Sequence, residues 1–158
     1  MKITLCGSLT FMDEMRDISD RLIKLGFEKV MMPVGFGGGE RERKANWTVE
    51  EDGQRKIDRN SIEEHYLKIK ESSCILVINY TKNGIKNYIG GNTLLDMGYA
   101  FVNKKPIFLL NPIPDVSYKS EIIGMKPIIL GGDFNVLKKF FTGNFNPITN
   151  SKEGFYDL

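Results

Sequence analysis

One carboxylate in this chain stands in surroundings suited to chemistry. Asp96 follows Gly90-Gly91-Asn92-Thr93 and precedes Met97-Gly98-Tyr99-Ala100, between two strand-like apolar runs. Paired glycines let a backbone approach a ligand with no Cβ in the way. Asn92 or Thr93 can cap a helix beginning there, which places Asp96 about one turn inside it. The helix dipole then favours the ionised carboxylate by roughly 0.3–1 kcal/mol. A carboxylate kept charged beside a pocket suits nucleophilic attack better than proton donation. The opposing reading is an ordinary early-helix acid that complements the dipole, and residue type alone leaves both open.

Other reactive side chains are few. His65 is the sole histidine. Its ordinary pKa near ~6.5 makes general-acid work conceivable, and a packing role at a polar boundary equally so; it is carried as a candidate supporting the nucleophile from behind. Cys6 and Cys74 both fall in apolar strand-like runs, where a free thiol behaves as a small hydrophobe. With no CxxC or HExxH spacing there is no recognisable zinc motif, so no metal and no cofactor is expected.

The elements that must position Asp96 are legible from periodicity. Lys2 to Cys6 reads as a buried first strand ending at Gly7-Ser8. Met15, Ile18, Leu22 and Leu25 recur at helical spacing and stop at Gly26, and Phe27 to Met32 gives a second strand. A strand, a helix and a strand of this length form a right-handed parallel unit. Ser61-Ile62-Glu63-Glu64 has the S-x-x-E capping form and should open a helix with Ile62, Tyr66 and Ile69 inward. Cys74 to Asn79 is apolar without alternation up to its final residue, which indicates burial on both faces and a central place in the sheet.

After the Asp96 helix, in which Leu94, Leu95, Tyr99, Ala100 and Val102 are available to pack on the sheet, Ile107 to Leu110 and Pro127 to Leu130 read as fourth and fifth strands. A short helix over Ser120 to Met125 separates them, and Val136, Leu137, Phe140 and Phe141 mark a last helix before Gly143. The expected fold is a three-layer α/β domain over 1–158, with a tail over 144–158. Its doubly wound five-stranded parallel sheet has the flavodoxin-like order 2-1-3-4-5. Strands 1 and 3 then flank the switch point, so the loops after Cys6 and Asn79 border the crevice where ligands bind in such sheets.

Gly91-Asn92-Thr93-Leu94-Leu95-Asp96-Met97-Gly98-Tyr99-Ala100 resembles the glycine-threonine-x-x-glutamate-x-glycine-x-alanine signature of the nucleoside 2-deoxyribosyltransferase superfamily. Cys6-Gly7-Ser8-Leu9 is similar to that family's first loop. Glu71-Ser72-Ser73 stands where the family has a small residue and an aspartate, and Lys105-Pro106-Ile107-Phe108-Leu109-Leu110 matches its lysine-proline-hydrophobic strand. The resemblance spans roughly residues 1 to 111. It implies cleavage or transfer at the N-glycosidic bond of a nucleoside or nucleoside 5′-monophosphate, with Asp96 as nucleophile. Gly7, Ser8, Asn79, Gly90, Gly91, Asn92 and Thr93 then surround the substrate. It also implies a homo-oligomer, a dimer or larger. The family's nucleophile is glutamate; the aspartate here withdraws the carboxylate by one C–C bond, ~1.5 Å.

Two other readings stand beside it. One is a nucleotide-binding or sensing protein on the same fold, silent because of that shorter acid. The other is a phosphoribohydrolase of the lysine-decarboxylase-like type, whose PGGxGTxxE loop Gly90-Gly91-x-Thr93-x-x-Asp96 resembles without the leading proline and the extra glycine.

Composition narrows the partners. With 22 Lys plus Arg against 20 Asp plus Glu, the net charge of +2 makes no electrostatic case for nucleic acid. No apolar run nears the ~20 residues that span a bilayer, and the short strand-like N-terminus is no signal peptide, so a cytoplasmic address and no membrane partner are expected. Gly35-Phe36-Gly37-Gly38-Gly39 is followed by no lysine-serine or lysine-threonine pair, which excludes a nucleoside-triphosphate P-loop. Residues 34 to 60 read as a solvated connection or as a lid. In the second case Arg41, Arg43 or Lys44 meets a phosphate and Trp47 stacks on a base. Phe145, Phe155 and Tyr156 suggest a tail pinned to the domain or to a neighbouring subunit.

Overall fold

The computed structural model describes residues 1–33 and 48–144. Arg41, Arg43, Lys44 and Trp47 of the expected lid, and Phe145, Phe155 and Tyr156 of the tail, lie outside the described residues.

Five strands, β1 (Lys2–Gly7), β2 (Lys29–Met31), β3 (Cys74–Ile78), β4 (Ile107–Leu109) and β5 (Ile128–Ile129), pair in the order β2-β1-β3-β4-β5. Every ladder is parallel, with Ile3 opposite Cys74, Ile75 opposite Ile107 and Phe108 opposite Ile128. This is the doubly wound sheet that the alternation of strand and helix patterns predicts. The second strand is shorter than expected, because only Lys29–Met31 reaches the ladder.

Among the described residues six α-helices accompany the sheet: α1 (Met12–Lys24), α2 (Val49–Asp58), α3 (Ser61–Glu71), α4 (Gly91–Val102), α5 (Lys119–Gly124) and α6 (Asn135–Phe141). The period of two explains how the unbroken run of β3 serves both layers. Cys74, Leu76 and Ile78 join Ile3, Leu5 and the α1 residues Met15, Ile18 and Leu22 in one core, to which α6 adds Val136 and Leu137. Ile75 and Val77 turn the other way and meet Cys6, Ile69 of α3 and Met97 and Ala100 of α4. Truncating a fully buried anchor such as Met15 or Met97 to alanine costs about 2–5 kcal/mol. Cys6 therefore belongs to the layer that carries Asp96, opposite in sense to Leu5.

Four local expectations are corrected. Ser61 is not a helix cap: Asn60 holds that place in the left-handed conformation, with φ 47°, and Ser61 is the first residue of α3. The inward face of α3 carries His65 and Ile69, whereas Ile62 is exposed, so the stripe is rotated relative to the one predicted. In the stretch expected to be a loop or lid, α2 forms behind a capping box in which Thr48 Oγ1 accepts from Glu51 N and Glu51 accepts from Thr48 N. On α4, Leu95 and Val102 are exposed, and the buried stripe is Thr93, Asp96, Met97 and Ala100. An acid on the sheet-facing side of a helix is a costly placement unless something receives it.

Candidate active site

What receives Asp96 is His65. Its Nε2 lies 3.3 Å from Asp96 Oδ2, and the same nitrogen lies 3.6 Å from Cys6 Sγ. The three side chains come from α4, α3 and β1. They are 9% (Asp96), 8% (His65) and 0% (Cys6) exposed. Packing of α3 on α4 holds the pair together: the rings of Tyr66 and Tyr99 stack at 4.3 Å between centroids and 9° between planes.

The thiol is not an activated nucleophile. Burial, then the charge of Asp96 and a hydrogen bond to it, pushes Cys6 well above the ordinary thiol range. Cys6 and Asp96 also share one imidazole nitrogen, so no relay runs from carboxylate through opposite ring nitrogens to sulfur. His65 Nδ1 is buried with no hydrogen-bond partner among the described residues. An orphaned buried donor or acceptor costs about 1–3 kcal/mol, which marks the imidazole as more than packing.

Asp96 and His65 open onto a cleft of ≈ 120 Å³ lined also by Gly7, Asn92, Tyr66 and Lys56. Gly7 is required there: a Cβ would stand 2.8 Å from Ile78 O and 2.7 Å from Met15 Cε. Asn92 lines the cleft from the first turn of α4, and Thr93 is buried behind it. Neither caps the helix. Gly90 holds that position, without a side-chain bond, and Asp96 falls in the second turn, where the dipole contributes less than the sequence reading supposed.

The remaining expected contacts are placed elsewhere. Asn79 is fully buried, and its amide is taken up by Asn111 N at 2.9 Å and by the carbonyls of Asn111 and Pro112 at 3.0 and 3.1 Å. It clasps the ends of β3 and β4 and does not line the cleft. Ser8 Oγ bonds Thr10 Oγ1 at 3.0 Å and accepts from Lys82 Nζ at 2.8 Å. The space a Cβ would need at Gly90 is filled by the Tyr88 ring, 2.9 Å away at its hydroxyl, whereas Gly91 faces open space.

Several cleft residues were not anticipated. In sequence Tyr66 reads as part of the core stripe, and in the structure it lines the cleft. Lys56, paired with Asp52 at 2.7 Å, comes from the unexpected helix α2. Thr48-Val49-Glu50-Glu51 has the T-x-x-E capping form, a signal that locates α2 and with it Lys56. Metal was not expected because no ligand spacing is recognisable in sequence. The fold nevertheless gathers Cys6, His65 and Asp96, with ligand atoms all within 4.8 Å of one another. Among the described residues no helix is long and apolar enough to cross a membrane.

No protein-family model matches the chain, and no curated protein matches it. Solved structures do. A conserved protein from Enterococcus faecalis V583 superposes with a TM-score of 0.54 at 9% identity, over 90% of this chain and 98% of that one. The 2-deoxyribosyltransferase of Bacillus psychrosaccharolyticus superposes with a TM-score of 0.51 at 17% identity, over 94% and 95%. The Clostridium botulinum CMP N-glycosidase BcmB gives 0.45 at 18% identity, over 90% and 99%. At these identities the likeness is one of fold, and the fold this chain shares is that of a solved 2-deoxyribosyltransferase.

Proposed function

We propose that the protein belongs to the nucleoside 2-deoxyribosyltransferase superfamily and cleaves or transfers at the N-glycosidic bond of a nucleoside or nucleoside 5′-monophosphate. The observation that carries this reading is the position of Asp96. A carboxylate on the inward stripe of α4 is delivered to the cleft beside Gly7 and Asn92, with His65 at 3.3 Å. The signature around it and the fold shared with a 2-deoxyribosyltransferase support the same reading.

In the proposed reaction an Asp96 oxygen bonds to C1′ of the sugar as the C1′–N bond breaks. The bonding pair leaves with the base, which takes a proton. A glycosyl ester on Asp96 remains. Attack on C1′ by water gives hydrolysis, and attack by the nitrogen of a second base gives transfer; either step returns the carboxylate. His65 holds Oδ2, so that the carboxylate presents its other oxygen in a fixed orientation. Lys56 supplies a cation for an anionic substrate group. The site is assembled from β1, α2, α3 and α4 and draws on no cofactor in this scheme.

The test is release of free base from a panel of nucleosides and 5′-monophosphates, with and without an acceptor base. Wild-type protein should release base from at least one substrate. Asp96→Asn should lower the rate by about three to four orders of magnitude with binding retained, because a nucleophile acts in the transition state. Near wild-type turnover by Asp96→Asn refutes the assignment.

A silent nucleotide-binding protein is the second reading. It is favoured by the shorter acid and by the enclosure of Asp96 between His65 and Cys6. Asp96→Glu separates the two: a silent site gains turnover, and a site tuned for aspartate loses it.

A further inference from the structure

We propose that Cys6, His65 and Asp96 form a three-ligand site for a thiophilic divalent cation, zinc foremost, and that a bound cation switches off the carboxylate. The second half of the proposal rests on the function proposed above; the first does not.

The donor set is thiol sulfur, imidazole nitrogen and carboxylate oxygen, a combination that binds zinc. The spacing is compatible with a metal site. With zinc–ligand distances of about 2.0–2.3 Å, tetrahedral ligands stand about 3.5 Å apart for nitrogen and sulfur and about 3.3 Å for nitrogen and oxygen. The separations here are 3.6 Å from His65 Nε2 to Cys6 Sγ and 3.3 Å to Asp96 Oδ2. A charge-assisted bond between the same imidazole and carboxylate has a typical length of about 2.7–2.9 Å. Both gaps match ligand–ligand edges of a tetrahedral site, and the three donor atoms all lie within 4.8 Å of one another.

Protonation is compatible with this. Nothing among the described residues holds a proton on or off His65 Nδ1, so the ring can keep its proton there and offer the Nε2 lone pair. Cys6 binds as thiolate, its proton passing to solvent. Three protein ligands leave a fourth position, and His65 and Asp96 line the cleft through which a cation enters. A cation on Asp96 Oδ2 withdraws negative charge from the whole carboxylate and leaves its other oxygen a weaker nucleophile, so metal binding suppresses glycosyl transfer.

The experiment uses the untagged full chain, stripped with chelator and kept reduced with a phosphine. Titration with Co²⁺ should give one bound equivalent, with a sulfur-to-cobalt charge-transfer band and the visible bands of a tetrahedral ion, all removed by one equivalent of Zn²⁺. Cys6→Ser should abolish the charge-transfer band, and both Cys6→Ser and His65→Gln should weaken binding at least about 100-fold. Cys74→Ser should bind as wild type does. Circular dichroism confirms that the variants fold, and His65→Gln decides the matter if Cys6→Ser does not. Absence of a saturable equivalent overturns the site, as does a charge-transfer band that survives in folded Cys6→Ser or wild-type affinity in folded His65→Gln. Once a base-releasing substrate is known, Zn²⁺ should inhibit its turnover in wild type with the same midpoint as cobalt displacement. Metal binding without inhibition refutes the switch and leaves the site. A protein that binds cobalt and releases no base refutes the proposed function and leaves the site.

Discussion

Nε2 of His65 sits between two partners, 3.3 Å from Asp96 Oδ2 and 3.6 Å from Cys6 Sγ. One nitrogen thereby ties helix α3 to helix α4 and to the first strand. On the proposed reaction His65 is a positioning residue for the carboxylate. His65→Gln should lower kcat for base release about 100-fold while KM stays within a few-fold, since misplacing a reacting group by an ångström carries a cost of that size. A purely structural histidine predicts the opposite split, with stability lost and the turnover of the folded fraction unchanged.

Lys56 gives a prediction about substrate choice. Its ammonium lines the cleft and is held by Asp52 on the same helix. If it meets a 5′-phosphate, Lys56→Ala should raise KM for a nucleoside monophosphate about tenfold, the loss expected for a hydrogen bond to a charged group. KM for the unphosphorylated nucleoside should hardly move. Equal effects on both would place the phosphate elsewhere.

Gly7 is constrained by neighbouring atoms. Gly7→Ala puts a methyl 2.8 Å from the backbone oxygen of Ile78, which cannot yield without parting β1 from β3. Denaturant unfolding should show a loss of at least about 2 kcal/mol, within the usual range for overpacking. A variant as stable as wild type would mean that the two strand ends separate easily.

The alkaline limit of stability should carry a thiol signature. Burial pushes Cys74 up from 9.0 to about 12, with Lys105 opposing part of the shift. The unfolded thiol ionises near its ordinary value while the folded one keeps its proton, so above that value the native state binds more protons. The contribution is complete below about 9 and is lost as pH rises toward about 12. The slope reaches at most about 1.4 kcal/mol per pH unit. Thermal melts from pH 8 to 10.5 should fall less steeply for Cys74→Ser than for wild type.

The sheet was legible in the sequence because its signals are strong and local. Cys74 to Ile78 is apolar at every position, and the glycines and prolines between strands punctuate cleanly. Asp96 was legible as the acid of a glycine-led helix. Its surroundings were not, because they are made by tertiary contact. Nothing local tells that His65 rather than Ile62 is buried, because the face that α3 presents is set by its packing on α4 and β1. Asn79 was placed in the crevice because a polar residue ends an apolar strand there. The competing use of that amide lies in Asn111, on another strand's end. Cys6 reads as core and is core, yet the alternation of β1 also turns it towards the carboxylate.

Leu95 and Ile62 line the same cleft as Asp96 and are 58% and 52% exposed, against 9% for the acid. The cavity thus has a greasy rim and a polar floor, and the short aspartate leaves its oxygens down at that floor. On the proposed reaction the sugar must go in first and the flat base must stop at the rim. The base is then the piece that departs without disturbing what is bonded below, and water or a new base arrives through the opening it has vacated. On that reaction one opening serves both half-reactions.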